Sequence, residues 1–321
     1  MDVPLQAGRF DSTIGALLIG FAASAIGYGI FSIQVYTYYR RYPLDKGVYK
    51  ALVALLWILE TVDQAFIGHS TYYYTVTNYT NPNALVYYKP IWSLISQMTA
   101  GALVGTIVKA CFSIRVWRFS YRNWILTGFL LFLAVAQMGL AVTFTIQSFH
   151  LPSLTDLINL RIIGSLSLGL GVVNDMFMAA ALCYYLQGMR SSSSSADSLI
   201  NSLTLYAINT GVLTSACSLT TLILYNFMPK NFVFMCFYFV LSKLYAISFL
   251  ATLNTRQIIR GRGTDREQGK SVSFHMVTDP SHRSVQIPMP SKSYPDENIQ
   301  KSQIRTQDSS YSSTPHYTAG W

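Results

Sequence analysis

Trp124-Ile125-Leu126-Thr127-Gly128-Phe129-Leu130-Leu131-Phe132-Leu133-Ala134-Val135 opens an apolar run that continues to Gln147 and decides the fold. A hydrocarbon core about 30 Å thick needs about 20 apolar residues of helix to cross it. In lipid the backbone amides must be satisfied within the segment, so such a run is a helix. Six more runs of this kind occupy about residues 14–38, 48–73, 91–114, 160–186, 202–227 and 232–254, with 124–147 the fourth in chain order. The pattern predicts an all-α membrane protein, a seven-transmembrane-helix bundle over residues 1–257. Beyond it, residues 258–321 are rich in Ser, Thr, Pro, Gln and charge, a composition that reads as a disordered tail.

Composition agrees. Of 321 residues, 51% are hydrophobic and 12% charged, well below the roughly 25% charged of a soluble domain. A formal net charge of +9 would suggest nucleic acid in a soluble protein. Here the basic residues stand in turns and the tail, where they report orientation, and no nucleic-acid partner is expected. One face carries Arg40, Arg41, Lys46, Lys50, Arg115, Arg118, Arg122, Arg190, Arg256, Arg260 and Arg262; the other carries Arg9, Lys89, Arg161 and Lys230. The imbalance places the first set in the cytoplasm, the N-terminus outside and the C-terminus inside. The N-terminal segment has no basic n-region and no small-residue cleavage site, so the first helix is expected to act as a signal-anchor. The expected location is the plasma membrane or another secretory-pathway membrane.

Aromatic residues mark the membrane interfaces: Tyr36, Tyr38, Tyr39 and Tyr42 at one end, Tyr72, Tyr73, Tyr74 and Trp92 at the other. Asn78-Tyr79-Thr80 is a sequon for N-glycosylation in a connection placed outside. Cys111, Cys183, Cys217 and Cys236 fall inside helices, read as buried free thiols, and fit neither a disulfide framework nor a zinc site.

Charges at mid-membrane are costly and turn toward the bundle interior. Four stand near the middle of their runs: Glu60 and Asp63 in the second helix, Asp175 in the fifth and Lys243 in the seventh. Glu60, Asp63 and Gln64 share one helical face. Asn174, Gln97 and Gln137 are further inward candidates. Lys109, closer to a helix end, is expected to snorkel to the headgroups. These residues read either as an internal ion pair, Lys243 with one or more carboxylates, or as a polar midplane cluster that binds a ligand or passes an ion. The sixth helix carries Thr210, Thr214, Ser218 and Thr221 on one stripe, a helix-packing surface or the lining of a cavity. Gly15, Gly20, Gly27 and Gly29 suggest close packing of the first helix. No GxSxG, HExxH or P-loop occurs, so neither an enzyme, a cofactor nor a metal is expected.

Several blocks resemble a family of basidiomycete fungal seven-helix membrane proteins, domain of unknown function 6534. They are Thr13-Ile14-Gly15-Ala16-Leu17-Leu18-Ile19-Gly20, Tyr36-Thr37-Tyr38-Tyr39-Arg40-Arg41-Tyr42-Pro43, Leu59-Glu60-Thr61-Val62-Asp63, His69 with Tyr72-Tyr73-Tyr74, and Arg115-Val116-Trp117-Arg118. The stretch Ser242-Lys243-Leu244-Tyr245-Ala246-Ile247-Ser248-Phe249-Leu250-Ala251-Thr252-Leu253-Asn254-Thr255-Arg256 resembles the family's closing signature. The resemblance spans about residues 12–257 and implies topology without an activity. The leading expectation is a receptor-like or sensory protein whose two packings are biased by a small-molecule ligand and reported by cytoplasmic partners of its loops and tail. The alternatives are a small-molecule or proton-coupled transporter and a structural membrane protein with an internal ion pair.

Overall fold

Pro43 cannot continue a helix, and neither can the residue before it do so easily. The first helix accordingly stops at Arg41, and the Tyr42 amide closes its last turn on the Tyr38 carbonyl at 2.9 Å. A computed structural model describes residues 11–79, 89–120, 122–188, 194–228 and 231–264. It contains seven long helices: α1 (Ala16–Arg41), α2 (Gly47–Tyr72), α3 (Trp92–Phe119), α4 (Trp124–Phe149), α5 (Arg161–Gly188), α6 (Ser194–Phe227) and α7 (Val233–Thr264). π-helical turns precede α1 and follow α2, and a 3-10 turn, Leu154–Leu160, leads into α5. No strand occurs among the described residues.

Six of the helices hold a stretch long and apolar enough to cross a membrane. In α6 the described apolar part, Gly211–Phe227, is shorter. α6 also starts earlier than the run 202–227 suggested, at Ser194, inside the serine-rich segment; serine is a favoured residue at a helix start. The boundary expected at 257 falls within a helix. α7 continues to Thr264, because Arg256-Gln257-Ile258-Ile259-Arg260 holds no breaker. Residues 265–321 lie outside the described residues.

Consecutive helices are neighbours around a ring that closes through α1 against α7, while α3 also touches α5 and α7 inside it. α7 is the central element: 61% of its apolar window is buried, against 22–39% in the other spans. The perimeter is apolar. Ile19, Ile26 and Ile33 expose 64–68% of their surface along α1, and Phe132, Val135, Ile162 and Met176 are exposed around the ring. Patches of this size do not face water in a soluble monomer. The charges, in contrast, are inside: Glu60, Asp63, Lys109, Asp175 and Lys243 are all buried. The protein is a multi-pass integral membrane protein whose perimeter contacts the bilayer.

Two devices set the helix positions. At the α3–α4 corner, Arg122 turns with φ 65°. The Asn123 side chain then caps α4 by accepting from the amides of Ile125 (3.1 Å) and Leu126 (3.3 Å). Between α1 and α7, the absence of a side chain at Gly20 and Gly27 lets the backbones approach. A Cβ at Gly20 would lie 2.8 Å from Cys236 Cα, and one at Gly27 would lie 3.1 Å from Lys243 Cβ, whereas one at Gly29 would meet open space. The four cysteines are free and half-buried rather than fully buried.

Gly20→Ala is therefore expected to lower thermal stability by about 1–3 kcal/mol through overpacking. Gly29→Ala is expected to raise it by about 0.5–1 kcal/mol through helix propensity. Thermal unfolding of the purified variants in detergent measures both; equal effects at the two sites would contradict the α1–α7 contact.

Candidate functional site

A lysine ammonium in a lipid-embedded interior needs oxygen partners, and α7 supplies Lys243 at a level where α2 supplies two. Glu60 and Asp63 stand one turn apart on α2, so both carboxylates reach the same point. Lys243 Nζ lies 2.6 Å from Glu60 Oε2 and 2.5 Å from Asp63 Oδ2, and all three side chains are fully buried. Ser242 Oγ donates to the same Asp63 oxygen at 3.2 Å. Glu60 Oε1 and Asp63 Oδ1 have no hydrogen-bond partner. Gln64, the third member of that α2 face, is half-buried, and neither end of its amide is hydrogen-bonded.

Asp175 does not join this cluster. Its partner is Lys109 on α3, whose Nζ lies 3.2 Å from Asp175 Oδ1. Lys109 is 3% exposed and does not snorkel. It donates to Gln137 Oε1 at 2.7 Å and to the Gly171 carbonyl at 3.4 Å, and it stands 5.0 Å from the centre of the Tyr245 ring. Tyr245 in turn donates its hydroxyl to Asp175 Oδ2. The reason is geometric: α3 touches α5 and α7 as well as its chain neighbours, and Lys109 stands on that inward face rather than toward lipid. The interior thus holds two separate ion clusters, Lys243–Glu60–Asp63 between α7 and α2, and Lys109–Asp175–Tyr245 among α3, α5 and α7. Asn174 is fully buried beside Asp175, with neither end of its amide hydrogen-bonded.

Beside the clusters the bundle is not fully packed. Three small cavities follow one another along α3. The first, about 60 Å³, is lined by Gln97, Met98, Phe144, Thr221, Tyr225 and Tyr238, among others. The second, about 40 Å³, is lined by Gly101, Gly105, Gln137, Ser218, Ser242 and Tyr245, among others. The third, also about 40 Å³, is bordered by Lys109, Asp175, Thr214, Tyr245 and Ser248, among others. Gln97, Gly101, Gly105 and Lys109 recur every four residues, one row on the face that α3 turns inward.

The α6 stripe lies along the same seam. Thr221 borders the first cavity, Ser218 the second and Thr214 the third. The side chain of Thr210 lies outside the described residues. Gln97 is 1% exposed, and its Oε1 has no hydrogen-bond partner. Sequence reasoning missed Lys109, Ser242 and Tyr245 as site residues; the four-residue recurrence on α3 was the signal available for the first. Among the described residues, no group of three His, Cys, Asp or Glu converges to hold a metal ion.

Asn78 lies apart from the seam. It is half-buried, and its Nδ2 donates to the Tyr73 carbonyl at 3.0 Å, closing the π-helical turn after α2. Thr80 of its sequon lies outside the described residues.

The sequence model of a family of unknown function (DUF6534) matches residues 171–258. That stretch carries Asn174, Asp175, the α6 stripe, Lys243 and Tyr245, and it leaves out Glu60, Asp63 and Lys109. No curated protein and no solved structure matches the chain.

Removing one partner of a buried ion pair costs about 3–5 kcal/mol, because the other charge is left unpaired, while replacing the whole set with apolar groups is often neutral. Lys243→Met is thus expected to unfold the bundle or lower its thermal midpoint steeply, with Lys109 too engaged to compensate. Lys243→Met combined with Glu60→Gln and Asp63→Asn is expected to recover much of the loss. A single variant no worse than the triple one in a thermal scan would remove Lys243 as the partner of both carboxylates.

Proposed function

We propose that the chain is a seven-span receptor-like membrane protein that binds a small molecule in the Gln97 cavity. The observation that carries this reading is the buried Gln97 carbonyl without a hydrogen-bond partner, at the wall of the roomiest cavity of the seam. A mostly apolar pocket with few convergent polar groups is the usual form of a small-ligand site. Phe144, Tyr225, Phe234 and Phe239 supply apolar and aromatic surface, and Met98 and Met235 supply adaptable surface. The matching ligand is a compact neutral molecule with an apolar body and one hydrogen-bond donor.

At about 60 Å³ the cavity is smaller than the ~150 Å³ that admits benzene in an engineered protein core. A ligand therefore has to widen it, and widening selects a second packing of the bundle. The Lys109–Asp175 pair lies further along the seam, where such a shift is felt. α6, 34 residues long and packed between α5 and α7, supplies the seventh span. The basic residues at the α1–α2 and α3–α4 corners support a cytoplasmic position for those corners, an outside N-terminus and a cytoplasmic C-terminus. On that orientation the Gln97 cavity lies in the outer half, Asn78 is a glycosylation candidate, and the inner loops and tail are the surface for a cytoplasmic partner. The family resemblance over residues 12–257 supports treating the whole bundle as one basidiomycete-type unit.

A carrier is the second reading. It is favoured by the continuation of the cavities from the level of Gln97 to that of Ser248. Uptake into proteoliposomes of whichever compound binds separates it from the receptor.

Screening small alcohols, phenols and amides against the purified protein in nanodiscs tests the proposal. A ligand at 100 times its Kd is expected to stabilise the fold by about 2.7 kcal/mol. Gln97→Leu is expected to weaken that ligand about 10- to 100-fold, since a lone buried acceptor contributes about 1–3 kcal/mol. Absence of any stabilising donor compound, or equal affinity for Gln97→Leu, overturns the assignment.

A further inference from the structure

The second cavity of the seam borders both ion clusters. Ser242, which donates to Asp63, lines it on one side; Tyr245, which donates to Asp175, lines it on another. Gln137, whose side-chain carbonyl accepts a hydrogen bond from Lys109, stands in its wall as well. Ser218 and Tyr238 add two more hydroxyls. A water needs about 10–15 Å³ for its centre and two to four polar partners. The cavity offers about 40 Å³ and six polar side chains, Ser167 being the sixth.

Two glycines keep this space open. A Cβ at Gly105 would touch Tyr245 Cδ2 at 3.4 Å, and one at Gly101 would touch Ser242 Cβ at 3.5 Å. Both are ordinary van der Waals distances. An alanine at either position therefore fits without a clash and takes volume from the cavity. Simple packing does not account for glycine there, since alanine is the better helix former.

We propose that this cavity is a built hydration site, and that its water joins Ser242 to Tyr245 and so couples the Lys243–Glu60–Asp63 cluster to the Lys109–Asp175 cluster. Bridging water is nearly as good as a direct hydrogen bond. A rearrangement at one cluster then alters the partners available to the other, although no residue of the first touches a charged group of the second. α2, which carries Glu60 and Asp63, is in this way tied to α5, which carries Asp175, through α7.

Radiolytic footprinting of the full-length protein in nanodiscs with oxygen-18 water reads the site directly, because side chains beside bound water take up the label. Tyr245 is expected to label although buried, and the half-buried Tyr238 with it, while the packed, fully buried Phe31 is not. In Gly105→Ala the Tyr245 label is expected to fall to the Phe31 level, with that of the exposed Tyr184 unchanged. A second arm uses thermal midpoints. In the wild-type background, Asp63→Asn with Asp175→Asn is expected to depart from additivity by about 2–4 °C; in the Gly105→Ala background the two effects are expected to add. Tyr245 labelled no more than Phe31 in the wild type overturns the hydration site, whatever the variants do. Labelling with strict additivity in the wild type overturns the coupling.

Discussion

A lysine held between two carboxylates away from water is the constraint around which this bundle is organised. Lys243 can stay on α7 only if α2 delivers Glu60 and Asp63 to it, and α7 can sit at the centre only if α1 gives way at Gly20 and Gly27. Lipid as the outer solvent makes the requirement strict. An unpaired charge has no water to turn to, and the apolar perimeter offers no hydrogen bond. The ring closes through α1 against α7 where these requirements meet.

The interior row of α3 applies the same logic to a second charge. Lys109 is one step of four residues beyond Gly105, and Gly105 one step beyond Gly101. The small residues leave room beside α7, and the lysine at the end of the row closes on Asp175. The result is a seam of small cavities that runs past two separate ion clusters rather than one polar chamber at the midplane. Such an interior suits discrete rearrangement, because each cluster exchanges partners only in whole hydrogen bonds, and the cavities give side chains somewhere to go.

Hydropathy made most of the fold legible: the seven apolar runs fall on the seven long helices, six of which are long and apolar enough to span, and Pro43 marks the first corner. The inward direction of Glu60, Asp63, Asp175 and Lys243 was legible from the cost of charge in lipid. Their partition was not. Depth along a helix can be read from position in a run, but which helices face one another cannot, and Asp175 stands at a depth compatible with either lysine. Lys109 was misjudged because nearness to a helix end predicts snorkelling only for a side chain on the lipid-facing side, and Lys109 stands on the face of α3 turned toward α5 and α7. Tyr245 and Ser242 escaped notice because tyrosine and serine are ordinary residues in a membrane helix until a carboxylate is seen beside them. The start of α6 was obscured by a serine run that reads as loop in isolation.

The pairing itself is open to direct measurement. Solid-state NMR of the protein in lipid, with nitrogen-15 lysine side chains and carbon-13 carboxyl groups, reports which ammonium lies within ion-pair distance of which carboxylate. Lys243→Arg and Lys109→Arg variants assign the two lysine signals. The account predicts that Lys243 is dephased by the carboxyl carbons of Glu60 and Asp63, and Lys109 by that of Asp175. Dephasing of Lys243 by Asp175, or a Lys109 signal with no carboxylate neighbour, would contradict it.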